Sequence, residues 1–256
     1  MKISSTNKRI LVVSDIHQDI QRLHSIIRYE SPDNIVVLGD WFDSHYSDNL
    51  DDYTRTAKYL LKFVHQDNTI TLWGNHDLHY FYTNDYLCCS GYRAVNDEAI
   101  TEALHPAFND VKEKFKWYIW IDDILCTHAG LYPSFISPTV KNNDDIAKFL
   151  IEEEAKIRTK IVQNEPYWAY CAGRARGGQY PRGGITWLDF EHEFDPIVGL
   201  RQIVGHTFSR TGKIRAHYKE CDKNVADADN ICIDCNLNEY LIIHNGTIHI
   251  KKFEDI

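Results

Sequence analysis

Residues 10–43 read ILVVSDIHQDIQRLHSIIRYESPDNIVVLGDWFD. Two apolar runs, predicted as strands at 10–14 and 35–38, each lead into a polar turn, at Asp15 and at Gly39-Asp40. Between them Ile20, Leu23, Ile26 and Ile27 share one face of a helix predicted over 18–29, which Pro32 ends. The pattern continues with a helix near 52–65, where Ala57, Leu60, Leu61 and Val64 recur at helical spacing, and a strand at 69–73. This β-α-β-α-β order predicts an α/β fold: a parallel sheet with covering helices.

Further along the chain the order turns mixed. Asn96, Asp97 and Glu98 open one short helix, and Pro106 starts another that runs to Lys116. Trp117–Ile121 and Ile124–Thr127 flank Asp122-Asp123 as an antiparallel hairpin. Residues 142–163 carry Ile146, Phe149, Leu150, Ile157 and Ile161, with Glu152/Lys156 and Glu154/Arg158 four apart, and predict an amphipathic helix outside the main sheet. The stretch WAYCAGRARGGQYPRGGITW, residues 168–187, holds five glycines and three arginines and predicts a loop able to approach a phosphate. Strands at 231–234, 240–243 and 247–252 close the chain, the last two joined by an Asn245-Gly246 turn.

At 256 residues the chain is expected to form a single domain over 1–256, with insertions near 84–116 and 137–186. No apolar stretch is long enough to span a bilayer, and the five-residue apolar run near the N-terminus is too short for a secretory signal, so a soluble cytoplasmic protein is expected. Seven cysteines, an odd number, fit reduced thiols. A formal net charge of -9 argues against a large nucleic-acid footprint and favours a small phosphorylated molecule or a phosphoprotein. Oligomeric state has no signal.

Five strand-end motifs carry the chemistry: ILVVSDIH, IVVLGDWFD, ITLWGNHD, ILCTHAG and QIVGHT. In Asp15-Ile16-His17 an extended turn would point the i and i+2 side chains the same way, so that carboxylate and imidazole share one cation. Asp40 has two carboxylate oxygens and can bridge two cations, while the amide oxygen of Asn75 suits the second. His76 is turned toward a leaving group as a proton donor, with Asp43 beside it to raise its pKa. His128 and His206 each come directly after an apolar strand and stand beside a glycine.

The motif series DxH, GDxxD, GNH(D/E), a lone histidine and GH resembles the calcineurin-like metallophosphoesterase superfamily over roughly residues 9–250, most closely its branch of phosphoprotein phosphatases and symmetrical diadenosine tetraphosphate hydrolases. The resemblance implies a four-layer α-β-β-α sandwich with two mixed β-sheets. It implies one metal on Asp15, His17 and Asp40, a second on Asp40, Asn75, His128 and His206, and attack on phosphorus by a metal-bound hydroxide. Manganese is the expected activator, with iron or zinc as alternatives. A phosphomonoesterase is the leading expectation; a phosphodiesterase, nuclease or dinucleoside polyphosphate hydrolase could use the same centre, and a non-catalytic scaffold would not keep both the ligands and His76.

Three departures from the branch stand out. Ser44 succeeds Asp43 where the branch has an arginine, and Arg174, Arg176 or Arg182 could supply the missing guanidinium. GNHD replaces GNHE, and Phe208 stands where the wider superfamily often has a second histidine. Cys232 and Cys235 read as strand cysteines rather than a zinc or redox pair, Cys88-Cys89 as packing, and His45 and His79 as surface residues.

Overall fold

The computed structural model describes residues 1–44, 46–87, 89–136, 142–217 and 225–256. The chain runs β1 (Lys2–Ile3), β2 (Arg9–Val13), α1 (Ile20–Glu30), β3 (Asn34–Val37), α2 (Leu50–Phe63), β4 (Thr69–Thr71), α3 (Asn75–Phe81), α4 (Ala94–Leu104), α5 (Phe108–Lys114), β5 (Ile119–Ile121), β6 (Ile124–Cys126), α6 (Asn143–Val162), β7 (Arg201–Val204), β8 (Arg215–His217), β9 (Asn230–Cys232), β10 (Glu239–His244) and β11 (Thr247–Lys252). One sheet has the order β11-β10-β2-β3-β4 and the other β1-β5-β6-β7-β9-β8. Both are mixed: β2, β3 and β4 are parallel with β10 antiparallel, and β6, β7 and β9 are parallel with β5 and β8 antiparallel.

Strand side chains alternate between faces, and here both faces are apolar. Ile10, Val12, Val36, Leu38 and Ile70 join Ile119, Ile121, Ile124, Ile203 and Ile231 in one buried cluster, the seam between the sheets. Leu11, Val13, Ile35 and Val37 point the other way, into a cluster with Leu23 and Ile26 of α1 and Leu60 and Phe63 of α2. Each such side chain contributes on the order of 2 kcal/mol on burial. A charge at Val12 or Val36 would therefore part the sheets. On the six-stranded sheet, Val204 and Cys232 pack against Leu188, Phe190 and Phe194. The result is the two-sheet α/β sandwich implied by the motifs.

Several local features differ from the sequence reading. β4 stops at Thr71 because Leu72 bridges to Lys116, and the Trp73 amide donates to the Lys116 carbonyl. The GNHD motif opens a helix, α3, which was not anticipated. Strands β1 and β8 were not anticipated. On α6, Arg158 pairs with Glu154 at 3.2 Å, but Lys156 pairs with Glu153 at 2.7 Å rather than with Glu152. Among the described residues no helix is long and apolar enough to cross a membrane. Residues 137–141 of the second expected insertion, together with His45, Cys88 and Cys221, lie outside the described residues.

Candidate metal centre

Parallel strands end on the same edge of their sheet, and the ends of β2, β3 and β4 in one sheet meet those of β6 and β7 in the other, which is why residues distant in sequence come together here. Asp15 and His17 come after β2, Asp40 and Asp43 after β3, Asn75 and His76 after β4, His128 after β6 and His206 after β7. The first two turns are stitched together: the Asp15 amide donates to the Gly39 carbonyl at 3.1 Å and the His17 amide to the Asp40 carbonyl at 2.8 Å. The first turn is not extended. Asp15, His17, Gln18, Asp40, Asp43 and His206 all sit at φ between 42° and 69°, in the left-handed region. For non-glycine residues this costs on the order of 1 kcal/mol each, a cost the surrounding hydrogen bonds offset.

Two glycines are there for close approach. A Cβ on Gly74 would lie 2.1 Å from Asp40 Oδ1, and one on Gly205 would lie 1.7 Å from Ser14 Oγ and 2.3 Å from Asp15 Oδ2.

Asp40 stands between two groups of donors. Its carboxylate lies within 4.8 Å of ligand atoms of Asp15 and His17 on one side, and of His128 and His206 on the other. Asp40 Oδ2 is 3.9 Å from His17 Nε2 and 3.4 Å from His128 Nε2, and Asn75 Oδ1 is 3.0 Å from His128 Nε2. The six predicted ligands thus converge on one place. Backbone carbonyls fix the tautomers: Nδ1 of His17 donates to Phe42 O at 2.8 Å and Nδ1 of His128 to Leu38 O at 2.7 Å, which leaves each Nε2 as the inward nitrogen.

The donor set fits cations. His206 Nε2 is buried with no hydrogen-bond partner among the described residues. The Nε2 of His128 faces two acceptors, an amide oxygen and a carboxylate oxygen, an arrangement that needs either a proton or a cation between them. Without a cation the proton is favoured: burial pushes the His128 imidazole down, but the Asp40 and Asp15 charges outweigh it and lift it to about 9. Burial and the Arg176 and His128 charges hold His206 well below its ordinary value, so it is neutral and free to ligate. Burial also raises the Asp15 carboxyl and, with the charges of Asp15 and Asp40, the buried carboxyl of Asp234. Cations binding here would displace protons.

Next to this group, Asp43 gathers four donors. Its Oδ2 lies 2.8 Å from His76 Nδ1 and 3.0 Å from His79 Nε2, and its Oδ1 accepts from Tyr53 Oη at 3.0 Å and from Tyr80 Oη. Burial pushes this carboxyl up, but the bonds from His76 and His79 outweigh it and keep it ionised. Burial pushes His76 down, yet the Asp40 charge, Asp43 and Cys89 lift it well above the ordinary histidine value. The His76 ring stands 5.3 Å from the His17 ring, at the edge of the candidate ligand group. His79, read from the sequence as a surface residue, is buried, because α3 places it one turn beyond His76. Cys89 is not mere packing: its Sγ lies 3.6 Å from His76 Nδ1 and 3.2 Å from His79 Nδ1.

The aspartate of GNHD has a structural task that the motif alone did not reveal. Asp77 is fully buried and accepts three backbone N–H bonds, from Asp40 at 2.9 Å, Trp41 at 2.8 Å and Gly74 at 3.1 Å. It fastens the Asp40 turn to the Asn75-His76 turn. The three arginines separate. Arg176 Nη2 lies 3.4 Å from the His206 carbonyl, with Nε 2.8 Å from Asp189 Oδ2. Arg182 is bound to Asp195 and the Glu193 carbonyl and stacked over Tyr132, and Arg174 is exposed. Cys232 and Cys235 are buried, with Sγ against backbone carbonyls; Cys232 ends β9 as a strand cysteine, whereas Cys235 lies in the turn between β9 and β10 and not in a strand.

Comparison with known proteins agrees with this architecture. No curated protein matches the sequence significantly. Among solved structures, the cold-active protein-tyrosine phosphatase of the psychrophile Shewanella sp. superposes with a TM-score of 0.62 at 16% identity, covering 100% of this chain and 80% of that one. A chain provisionally named a diadenosine tetraphosphatase gives 0.51 at 15% identity, covering 98% and 97%. At these identities the likeness is one of fold. The sequence profile of the calcineurin-like phosphoesterases matches residues 8–210, a span holding all five motifs, and the chain therefore belongs to that metal-dependent phosphoesterase family.

Proposed function

We propose that the protein is a phosphatase that hydrolyses phosphomonoesters at a dinuclear metal centre, with Asp15, His17 and Asp40 holding one ion and Asp40, Asn75, His128 and His206 the other. The observation that carries this is the position of Asp40, whose carboxylate reaches both groups of ligand atoms. Manganese suits the mixed oxygen and nitrogen donors. When bound, the two ions supply an acidified water and positive charge against the phosphoryl oxygens.

The chain's own residues do the rest. Asp43 accepts the Nδ1 proton of His76 at 2.8 Å, which fixes the ring and leaves the Nε2 proton for the departing oxygen. Tyr53, Tyr80 and His79 hold Asp43 in place and keep it charged. Arg176, beside His206, takes the phosphate-binding role left open at Ser44, with Asp189 aiming its guanidinium. The net charge of -9 supports a small phosphorylated molecule or a phosphoprotein side chain over nucleic acid, acting as a soluble protein of the cytoplasm. The names of the two solved relatives, a protein-tyrosine phosphatase and a provisional diadenosine tetraphosphatase, both describe hydrolysis at phosphorus, the first of an ester and the second of an anhydride.

The test is a comparison of nitrophenyl phosphate with bis-nitrophenyl phosphate on manganese-loaded protein. The monoester should turn over faster. Faster turnover of the diester would replace this reading with a phosphodiesterase.

A further inference from the structure

The group around Asp43 has a second chemical character. Asp43 Oδ2, His76 Nδ1 and Cys89 Sγ lie within 4.8 Å of one another, outside the Asp40-centred groups. His79 braces the set from outside, with Nε2 3.0 Å from Asp43 Oδ2 and Nδ1 3.2 Å from Cys89 Sγ; because these are opposite nitrogens of one ring, it positions two of the ligands and is not a fourth.

We propose that Asp43, His76 and Cys89 form a third metal site, which takes a thiophilic divalent cation, zinc by preference, and whose filling shuts down the proton donor. Zinc bonds of about 2.0–2.3 Å to oxygen, nitrogen and sulfur give tetrahedral ligand edges of about 3.3–3.6 Å. The edges here are 2.8 Å for Asp43–His76 and 3.6 Å for His76–Cys89, with all three ligand atoms within 4.8 Å of one another, so a cation needs the shorter edge to open by about half an ångström and leaves the fourth position to water. Thiolate and imidazole donors select zinc over manganese, whereas the Asp40-centred groups contain no sulfur. Cys89 is half-buried, and His79 also borders a cavity of about 500 Å³ lined by Tyr80, Tyr92 and Asp97, which gives a cation an approach.

On binding, the thiol proton of Cys89 and the Nδ1 proton of His76 pass to solvent and are replaced by metal bonds. His76 is then neutral, and giving up its remaining N–H would leave an imidazolate, a far weaker acid than an imidazolium. The Asp43–His76 hydrogen bond is lost in the same step. The inhibitory consequence rests on His76 being the proton donor; the site itself does not.

Cobalt is the probe, because a thiolate-to-cobalt charge-transfer band in the near ultraviolet can arise only where sulfur ligates. Manganese-loaded protein titrated with cobalt should develop this band and saturate at a single equivalent. An equivalent of zinc should bleach it, and Cys89→Ser, shown by its melting curve to be folded, should lack it. In parallel, Cys89→Ser should raise the zinc concentration for half-inhibition of turnover by at least about tenfold. No band, or a band unchanged in Cys89→Ser, overturns the site; equal zinc sensitivity of the two proteins overturns the inhibition. The optical readout is independent of turnover, so failure of the site and failure of the phosphatase reading are distinguishable.

Discussion

Replacing Asp77 by alanine removes the acceptor of three buried N–H groups, those of Asp40, Trp41 and Gly74. A buried donor left unsatisfied costs about 1–3 kcal/mol. Water can enter the space left by the carboxylate and recover part of this, so the net loss should be about 4 kcal/mol, or a melting temperature lower by roughly 10 °C for a chain of this size. Asparagine is the sharper probe. Oδ2 serves two of the donors and Oδ1 only Trp41, so an amide with its oxygen in the Oδ2 position keeps two bonds and turns an NH₂ toward the Trp41 N–H, costing about 2 kcal/mol. Both substitutions loosen the tie between the Asp40 and Asn75-His76 turns, so metal affinity should fall in step with stability. Urea unfolding paired with elemental analysis reads both quantities. An Asp77→Ala protein within about 1 kcal/mol of the parent, with its full metal complement, would refute the clamp.

Three further substitutions probe the same network of contacts. His76→Asn should retain its metals and slow turnover of esters with poor leaving groups by about 10²–10⁴-fold, with a much smaller effect on nitrophenyl phosphate, whose leaving group needs no proton; equal slowing of both would assign His76 another role. Arg176→Ala should lower kcat/KM by about 10–100-fold, the loss of a charged hydrogen bond, while Arg182→Ala should change it little; the reverse order would move the phosphate contact to Arg182. Glu153 ties α6 to the start of the Gly-rich segment through Tyr167 and Trp168, and also bonds Lys156 of its own helix. Burial pushes its carboxyl up, but these bonds outweigh burial and hold it below the ordinary value. The stabilisation is therefore present above the unfolded pKa of about 4.3 and disappears as pH falls through the folded value. Glu153→Gln should melt below the parent at neutral pH, with the gap closing below about pH 4; a gap independent of pH would mean that charge has no part in it.

The sheets and the convergence of the candidate ligands were legible because they obey short-range rules. Strands buried on both faces are continuous apolar runs, and parallel strands deliver the residues at their ends to one edge of each sheet, so Asp15, Asp40 and Asn75 from one sheet and His128 and His206 from the other could be grouped from a single sequence. The features that escaped depend on contacts made at long range or on unusual backbone. Asp77 acts on main-chain amides of Asp40 and Trp41, and nothing local marks a side chain that bonds another segment's backbone. His79 was misread because α3 is only seven residues long, too short to show a period, and its one-turn relation to His76 depends on that helix. Cys89 reaches the two histidines through a loop with no pattern of its own. Arg174, Arg176 and Arg182 are equivalent by composition, and only the fold of the 168–187 loop sets Arg176 beside His206. The left-handed turns at Asp15 and His17 run against residue preference and are held by hydrogen bonds from the neighbouring turn, which a single turn's sequence does not contain.

The sharing of Asp40 between two ions is tested most directly by counting bound metal in the parent and in Asp40→Asn after manganese loading and removal of excess ion, alongside nitrophenyl phosphate turnover. The parent should hold about two ions per chain and hydrolyse the ester, and Asp40→Asn, which keeps the shape and loses the bridging charge, should retain one or none and be inactive. Two ions and full turnover in Asp40→Asn, or undiminished turnover by the parent after its metals are stripped, would contradict the account.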